Sequence, residues 1–484
     1  MQSAVVPAEP MLWRGTMSGA PGQSSPVGVP NPESDLILKL AFGFFAIDLF
    51  LTVSRILEIT SLAGIARIPY LGVTIHVVTM VLALISGGAK RVLASRVGAI
   101  LALFTGWMMV CTLTSVWRGG STDILFRQWL PSLIIFVSCG TVVTLPQCRK
   151  AATVLATATA VIAGASYALA TLKDDRLAFE AGTLGNANEL SMVLLLGAPF
   201  FLVPVFSLGS SWFRKVVSLA LCAVVVVLVI RSASRSNLLA IVSILTVLFW
   251  TRPFAGKLKL GLLTIVLVFV FIAATPRQVV SRYITLFSDA PTGDDIANSA
   301  HESTAARQYL LQQSLRLTME HPIFGVGPGI FTVGEADLAK SEGQAAQWHV
   351  SHNSYTQVSS EMGIPGLLLY LAALWGTLSN IVWFRRRSRI DPTGRASALG
   401  LALLLSLVGL CVNLAFSSNA YFPYLPILMG LSVVLRKSLQ VEMNRETVQL
   451  NLPKPALAVP VKPAAASSEK PVYRFLGRAR RSGA

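Results

Sequence analysis

"WHVSHNSYTQVSSEMGIPGLLLYL", residues 348–371, joins two kinds of chain in one stretch. Its first part is polar and carries His349, His352, Asn353, Tyr355 and Glu361. From Gly363 onward the side chains are mostly apolar, and this character lasts to Phe384. An apolar helix of about 20 residues matches the hydrocarbon thickness of a bilayer. The polar part has helical spacing, and Gly363 with Pro365 should end it or bend it into the apolar run. His352 is then expected at a membrane surface, one or two turns above lipid. Whether the chain is a membrane protein depends on whether such runs recur.

They recur throughout. Of 484 residues, 53% are hydrophobic and only 13% charged, whereas soluble domains carry about 25% charged residues. Continuous apolar runs fall near 36–54, 70–88, 97–117, 124–145, 151–172, 188–208, 213–230, 236–251, 260–275, 364–384, 398–416 and 420–435. They predict an all-α fold: a polytopic membrane helical bundle of about twelve transmembrane helices, since open strands cannot satisfy their backbone in lipid. The runs do not alternate in polarity, which argues against a membrane barrel. His76 lies inside the second run and reads as a packed or hydrogen-bonded core histidine.

The net charge is +17, with the basic residues concentrated in loops and tails between apolar runs. That placement points to orientation and membrane lipids rather than nucleic acid. One set of loops holds Lys90, Arg91, Arg96, Arg149, Lys150, Arg214, Lys215, Arg252, Lys257, Lys259, Arg385, Arg386, Arg387, Arg389 and Arg395, with only Asp391 opposing them. The positive-inside rule assigns this set to the cytoplasm. The expected organisation is a disordered cytoplasmic segment 1–35, spans one to nine over 36–275, and one large periplasmic helical loop, 276–363. Spans ten to twelve follow over 364–435, then a disordered basic tail, 436–484. Residues 1–35 lack the apolar core of a cleavable signal peptide. The five cysteines avoid the long loop and imply neither a disulfide framework nor a metal cluster.

Four of the five histidines, His301, His321, His349 and His352, lie in the long loop. Within it, residues 303–322 read as a helix stopped by Pro322. A helical wheel puts Leu310, Leu311, Leu315, Leu317 and Met319 on one side, with Arg307 near the middle of it. Arg307 therefore either snorkels from the helix start or points into a site. "FGVGPGIF" at 324–331 reads as a tight turn. Its amides could meet a phosphate, but no helix directly follows to add a dipole. His349 and His352 stand three apart without an obvious third ligand, a poor zinc pattern. His352 is either a packed histidine or a proton-transfer group, for which its ordinary pKa of about 6.5 is suited. Arg231 and Arg235, in "VIRSASRSNLL", break the charge bias of the outer face, which makes a ligand reason attractive.

Taken in order, "GTLGNANELSMVLLLGAPFF", "SASRSNLL", "ARQYLLQQSLRLTMEHPIFGVGPGIF" and "HNSYTQVSSEMGIPGLLLYL" resemble the O-antigen ligase and polymerase superfamily of bacterial envelope enzymes. The resemblance covers roughly residues 180–375. It implies a multi-pass protein of the bacterial inner membrane with its active site facing the periplasm. It also implies glycan transfer from a polyprenyl-pyrophosphate carrier to an acceptor hydroxyl. The acceptor would be lipid A–core for a ligase and a carrier-linked glycan for a polymerase. By the same resemblance Arg235 and Arg307 would bind the donor pyrophosphate and His352 would activate the acceptor. Arg231, Asn353, Tyr355 and Asn188 are the further candidates for substrate contact; Asn186 and Asn188 either line the site or cap the sixth span. Glu361 reads as a capping or pairing group.

The chemistry this requires fits the residues. Charge grows on the pyrophosphate as the glycosidic bond breaks, and guanidinium forks can stabilise it. No Asp-x-Asp pair is present, and "EAD" at 335–337 is a weak substitute. We therefore expect no cofactor and no metal. Two rival readings are a twelve-helix transporter and a non-catalytic envelope polysaccharide subunit. The first would favour two similar halves, which the sequence lacks.

Overall fold

The computed structural model describes residues 35–62, 68–173, 176–180, 182–258, 260–262, 264–265, 295–388, 391 and 393–451. The major helices are α1 (Leu36–Ser54), α2 (Ile68–Ile85), α3 (Arg96–Thr114), α4 (Arg118–Thr141) and α5 (Leu145–Leu169). A two-stranded antiparallel hairpin follows, β1 (Thr171–Lys173) and β2 (Arg176–Ala178), with Lys173 opposite Arg176. Then come α6 (Ala187–Phe206), α7 (Trp212–Arg231), α8 (Arg235–Trp250), α9 (Asp295–Glu320), α10 (Phe331–Ser341), α11 (Ser354–Arg387), α12 (Arg395–Leu414) and α13 (Tyr424–Asn451).

Among the described residues, eight of these helices are long and apolar enough to cross a membrane: α1, α3, α4, α5, α6, α7, α11 and α12. Leu71–Ile85 and Arg235–Trp250 are shorter apolar helices. The fold is thus an all-α polytopic bundle, with eight spans meeting the length and hydropathy required where about twelve were predicted. Most of the predicted ninth span, 260–275, lies outside the described residues, as do segment 1–34 and the tail from 452. The last helix runs past Arg436 to Asn451, through a stretch without proline or glycine. The chain divides into two compact units, Met1–Leu439 and Gln440–Ala484; everything below concerns the first.

Local chemistry sets the helix starts. The Asp35 carboxylate accepts from the amides of Ile37 and Leu38 to begin α1, and Thr144 with Gln147 forms a capping box on α5. The Asn353 side chain accepts from Tyr355 and Thr356 to begin α11. That helix bends at Gly363, whose φ of 70° and ψ of −176° interrupt the helical run. The amide of Ile364 turns instead to the Pro322 carbonyl at 2.8 Å.

α12 is the most buried of the spans and packs against α6, α8 and α11. α9 lies along the first part of α11. Its inward face differs from the predicted one. Leu310 and Leu317 are buried, but so are Gln313, Ser314 and Thr318, whereas Leu311, Leu315 and Met319 are exposed. The reason is the partner surface: Thr318 meets Ser359 of α11 at 2.8 Å, so a polar stripe, not only leucines, is bonded there.

Candidate functional site

The site begins at the break between α7 and α8. "SAS", residues 232–234, is a turn in which Ala233 takes φ 50°, a left-handed conformation uncommon outside glycine. The flanking serines supply the bonds. Ser191 donates to the Ser232 hydroxyl at 2.6 Å, and Ser234 donates to Asn188 Oδ1 at 2.8 Å. Asn237 donates to the Asn188 carbonyl at 3.2 Å. The cap of α6 is Asn186, which accepts from the Asn188 amide at 2.9 Å. That leaves the Asn188 side chain for the cavity wall.

Arg176, on β2, joins this cluster. Its Nη2 donates to Asn188 Oδ1 at 2.8 Å and its Nε to the Ser232 carbonyl at 3.1 Å. Sequence reasoning missed it. Its only signal was a lone arginine in the mixed-charge segment "KDDRLAFEAG", which the hairpin swings over the α7–α8 break.

The second half comes from α9 and the segment before α11. Arg235, the first residue of α8, donates from Nη2 to Thr304 Oγ1 at 2.9 Å and so ties α8 to α9. His352 has φ 52°, again left-handed. Its amide donates to Ser418 Oγ at 2.8 Å. Ser354 donates to the Ser417 carbonyl at 2.6 Å, and Asn419 donates through both its amides, to Ser354 Oγ and to the carboxylate of Glu189. The loop between α12 and α13 therefore clamps His352 in its unusual backbone geometry. Polar "SSN" at 417–419 between two apolar runs was the signal for this loop, and it was not read.

Two cavities open here. One, of about 470 Å³, is lined by Arg176, Asn186, Asn188, Arg307, His349 and His352. The other, of about 260 Å³, is lined by Arg235, Thr304, Arg307, His352, Asn353 and Phe416, among others. Arg307 and His352 line both. Of the residues singled out in sequence, Arg235, Arg307, His352, Asn353 and Asn188 are brought together. Arg231 is exposed, and the Tyr355 hydroxyl donates to the Cys411 carbonyl at 3.0 Å; neither lines either cavity.

The electrostatics keep the imidazole neutral. Burial is the main cause, followed by the Arg307 guanidinium and then His349; together they push His352 from the ordinary 6.5 down to about 4. A neutral imidazole can accept a proton.

The glycine loop has another job. Gly325, Gly327 and Gly329 all have positive φ. The amide of Gly329 donates to the Glu361 carboxylate at 2.8 Å, that of Phe331 donates at 3.4 Å, and the Tyr421 hydroxyl donates at 2.7 Å. The acidic group this turn holds is the protein's own. Glu335 of the "EAD" segment accepts from the Tyr309 hydroxyl and from the amides of Gln347 and Trp348. It thereby steadies the irregular segment leading to His349. His76 sits between Asp48 and the Pro131 carbonyl, each at about 3.0 Å, a hydrogen-bonded core histidine.

Bundle and site together define a multi-pass helical membrane protein with an arginine–histidine site where helices α5, α7 and α12 end. Residues 219–371, which hold Arg235, Arg307 and His352, match the family model described as O-antigen ligase, and this supports the O-antigen ligase and polymerase superfamily. At the level of that family the match supports glycan transfer as the type of activity. No curated protein matches the chain.

Proposed function

We propose that this protein is a glycosyltransferase of the bacterial inner membrane that works on the periplasmic face. It moves a glycan from a polyprenyl-pyrophosphate carrier to an acceptor hydroxyl, as a ligase acting on lipid A–core or as a polymerase extending a carrier-linked glycan. The observation that carries this reading is the shared wall: Arg307 and His352 line both cavities. One cavity can hold the donor and the other the acceptor, with the cation and the base between them.

In the proposed reaction the acceptor oxygen attacks the anomeric carbon, and the bond from that carbon to the pyrophosphate oxygen breaks. The electron pair leaves with the pyrophosphate, where Arg307 and Arg235, helped by Arg176, meet the growing charge. The hydroxyl proton passes to His352. As negative charge gathers beside Arg307, the guanidinium's effect on the imidazole is offset, so His352 becomes a stronger base as the bond breaks. Guanidinium groups supply the charge stabilisation in this scheme, so no metal step is required of them. Single displacement gives inversion at the anomeric centre.

The test is glycan profiling of a deletion strain complemented with variants. His352→Ala and Arg307→Ala should each fail to restore the surface glycan while the protein remains in the membrane. Full rescue by both would remove the enzyme reading. Loss of long chains with one repeat left on the acceptor identifies a polymerase; carrier-linked polymer without acceptor identifies a ligase. NMR of the product reads the anomer, and retention would refute single displacement.

A further inference from the structure

A third large cavity, of about 450 Å³, lies at the other end of the bundle. It is lined by Arg149 near the start of α5, Arg214 near the start of α7 and Arg395 at the start of α12. The same three helices end at the site described above: α5 leads into the hairpin of Arg176, α7 ends beside Ser232, and α12 ends beside Phe416. They are 25, 20 and 20 residues long, or about 30–37 Å at about 1.5 Å per residue. This cavity and the arginine–histidine site are therefore about one bilayer apart.

Three cations from three elements line this cavity, and the one carboxylate seen to act on any of them among the described residues is Asp391, which attracts Arg149. None of the three belongs to the ion pairs Arg55–Glu58, His76–Asp48, Arg127–Asp123 and Arg316–Glu342. The nearby Asp391 carboxylate is bonded to Thr393 and Ala396. Like charges drawn together repel unless an anion sits among them. The fold fixes the cavity's rim: the Leu208 amide donates to the Thr393 carbonyl at 2.9 Å, pinning the loop after α6 to the loop before α12. The Arg395 guanidinium lies against Gly209 in that loop, where a Cβ would stand 3.8 Å from it. Beyond the arginines the wall turns apolar, with Ala156, Phe201 and Leu221.

We propose that this cavity binds an anionic membrane phospholipid, its headgroup phosphate held by Arg149, Arg214 and Arg395 and its acyl chain along the apolar wall. A cationic mouth continuous with an apolar wall between membrane helices fits a phosphodiester lipid better than a free anion, which would gain nothing from the wall. The site is separate from glycan transfer and does not rest on that activity.

The experiment uses the full-length protein purified in neutral detergent, with native mass spectrometry as readout and phosphatidylglycerol, phosphatidylcholine and inorganic phosphate as probes. Phosphatidylglycerol should be retained in preference to phosphatidylcholine, and millimolar phosphate should not displace it. Each arginine should contribute about fivefold, so the triple variant Arg149→Gln, Arg214→Gln, Arg395→Gln should lose affinity on the order of a hundredfold. A charge-matched control, Lys90→Gln, Lys150→Gln, Arg386→Gln, removes three cations elsewhere in the same set of basic loops and should retain most of the binding. Equal retention of both lipids, easy displacement by phosphate, or an equal loss in the control overturns the proposal. If the triple variant does not fold, Arg214→Gln alone, at an exposed position, should weaken binding about fivefold; unchanged binding there overturns it too.

Discussion

His352 unites three properties that a sequence shows only in part. Its type and its place before an apolar run were readable. Its left-handed backbone, its clamp by Ser418 and its depressed pKa were not, because they come from a loop more than sixty residues away, from burial, and then from Arg307 on α9. Replacing His352 with Ala should lower transfer by about 10²–10⁴-fold, measured with purified donor and acceptor. The pH profile gives a sharper reading. In the proposed mechanism the neutral imidazole is the active form, and its pKa is about 4. The rate constant for the free protein should thus stay level from pH 8 to pH 5 and fall only as the pH nears 4. Arg307→Gln removes the second cause of the depression, so the imidazole should gain protons at higher pH. The acidic limb of the residual activity should then move upward, toward 6.5. An unmoved limb would show that the two groups do not sense each other. Arg307 was legible as a cation on an apolar helix side, whereas Arg176 was hidden because only the short hairpin carries it to Asn188.

At the scale of elements, the Gly325–Gly329 turn and the bend at Gly363 hold α9, α10 and α11 in register. The amides of Val326 and Gly327 donate to the carbonyls of Ser360 and Glu361 at 2.9 and 3.0 Å. A Cβ on Gly325 would stand 2.5 Å from the Glu361 carbonyl oxygen, and its φ of 66° is costly for other residues. Gly325→Ala should therefore lower the thermal midpoint of the purified protein, with a loss of at least about 1–2 kcal/mol from the backbone alone. Glu361→Leu strands buried donors on Gly329, Phe331 and Tyr421, at about 1–3 kcal/mol each. Its defect should appear in stability before it appears in chemistry. Existence and type of α9 and α11 could be read from periodicity; α10 could not, for a helix does begin at Phe331 directly after the glycine turn, where none was expected. The inward face of α9 could not, since a wheel ranks leucine above serine and threonine, whereas the neighbour on α11 offers a hydroxyl. The bend could be read, because glycine and proline two residues apart leave few alternatives.

For the whole molecule, composition alone fixed the class: apolar runs of bilayer length have one solution, a helical bundle. The number of spans was less secure, since α2 and α8 are short as apolar helices and most of 260–275 lies outside the described residues. Orientation is testable directly. With every native cysteine replaced, Gln344→Cys should react with a membrane-impermeant maleimide in cells whose outer membrane alone is permeable. Ser210→Cys should react only after the inner membrane is opened. The reverse pattern would put the arginine–histidine site in the cytosol. The common partition between the two upper cavities carries a consequence for ligand recognition. Two guests that touch the same guanidinium and the same imidazole cannot bind independently. Each must alter the other's affinity by an identical factor, so a calorimetric titration of donor analogue with and without acceptor, and the converse, should close as a thermodynamic square with unequal parallel sides.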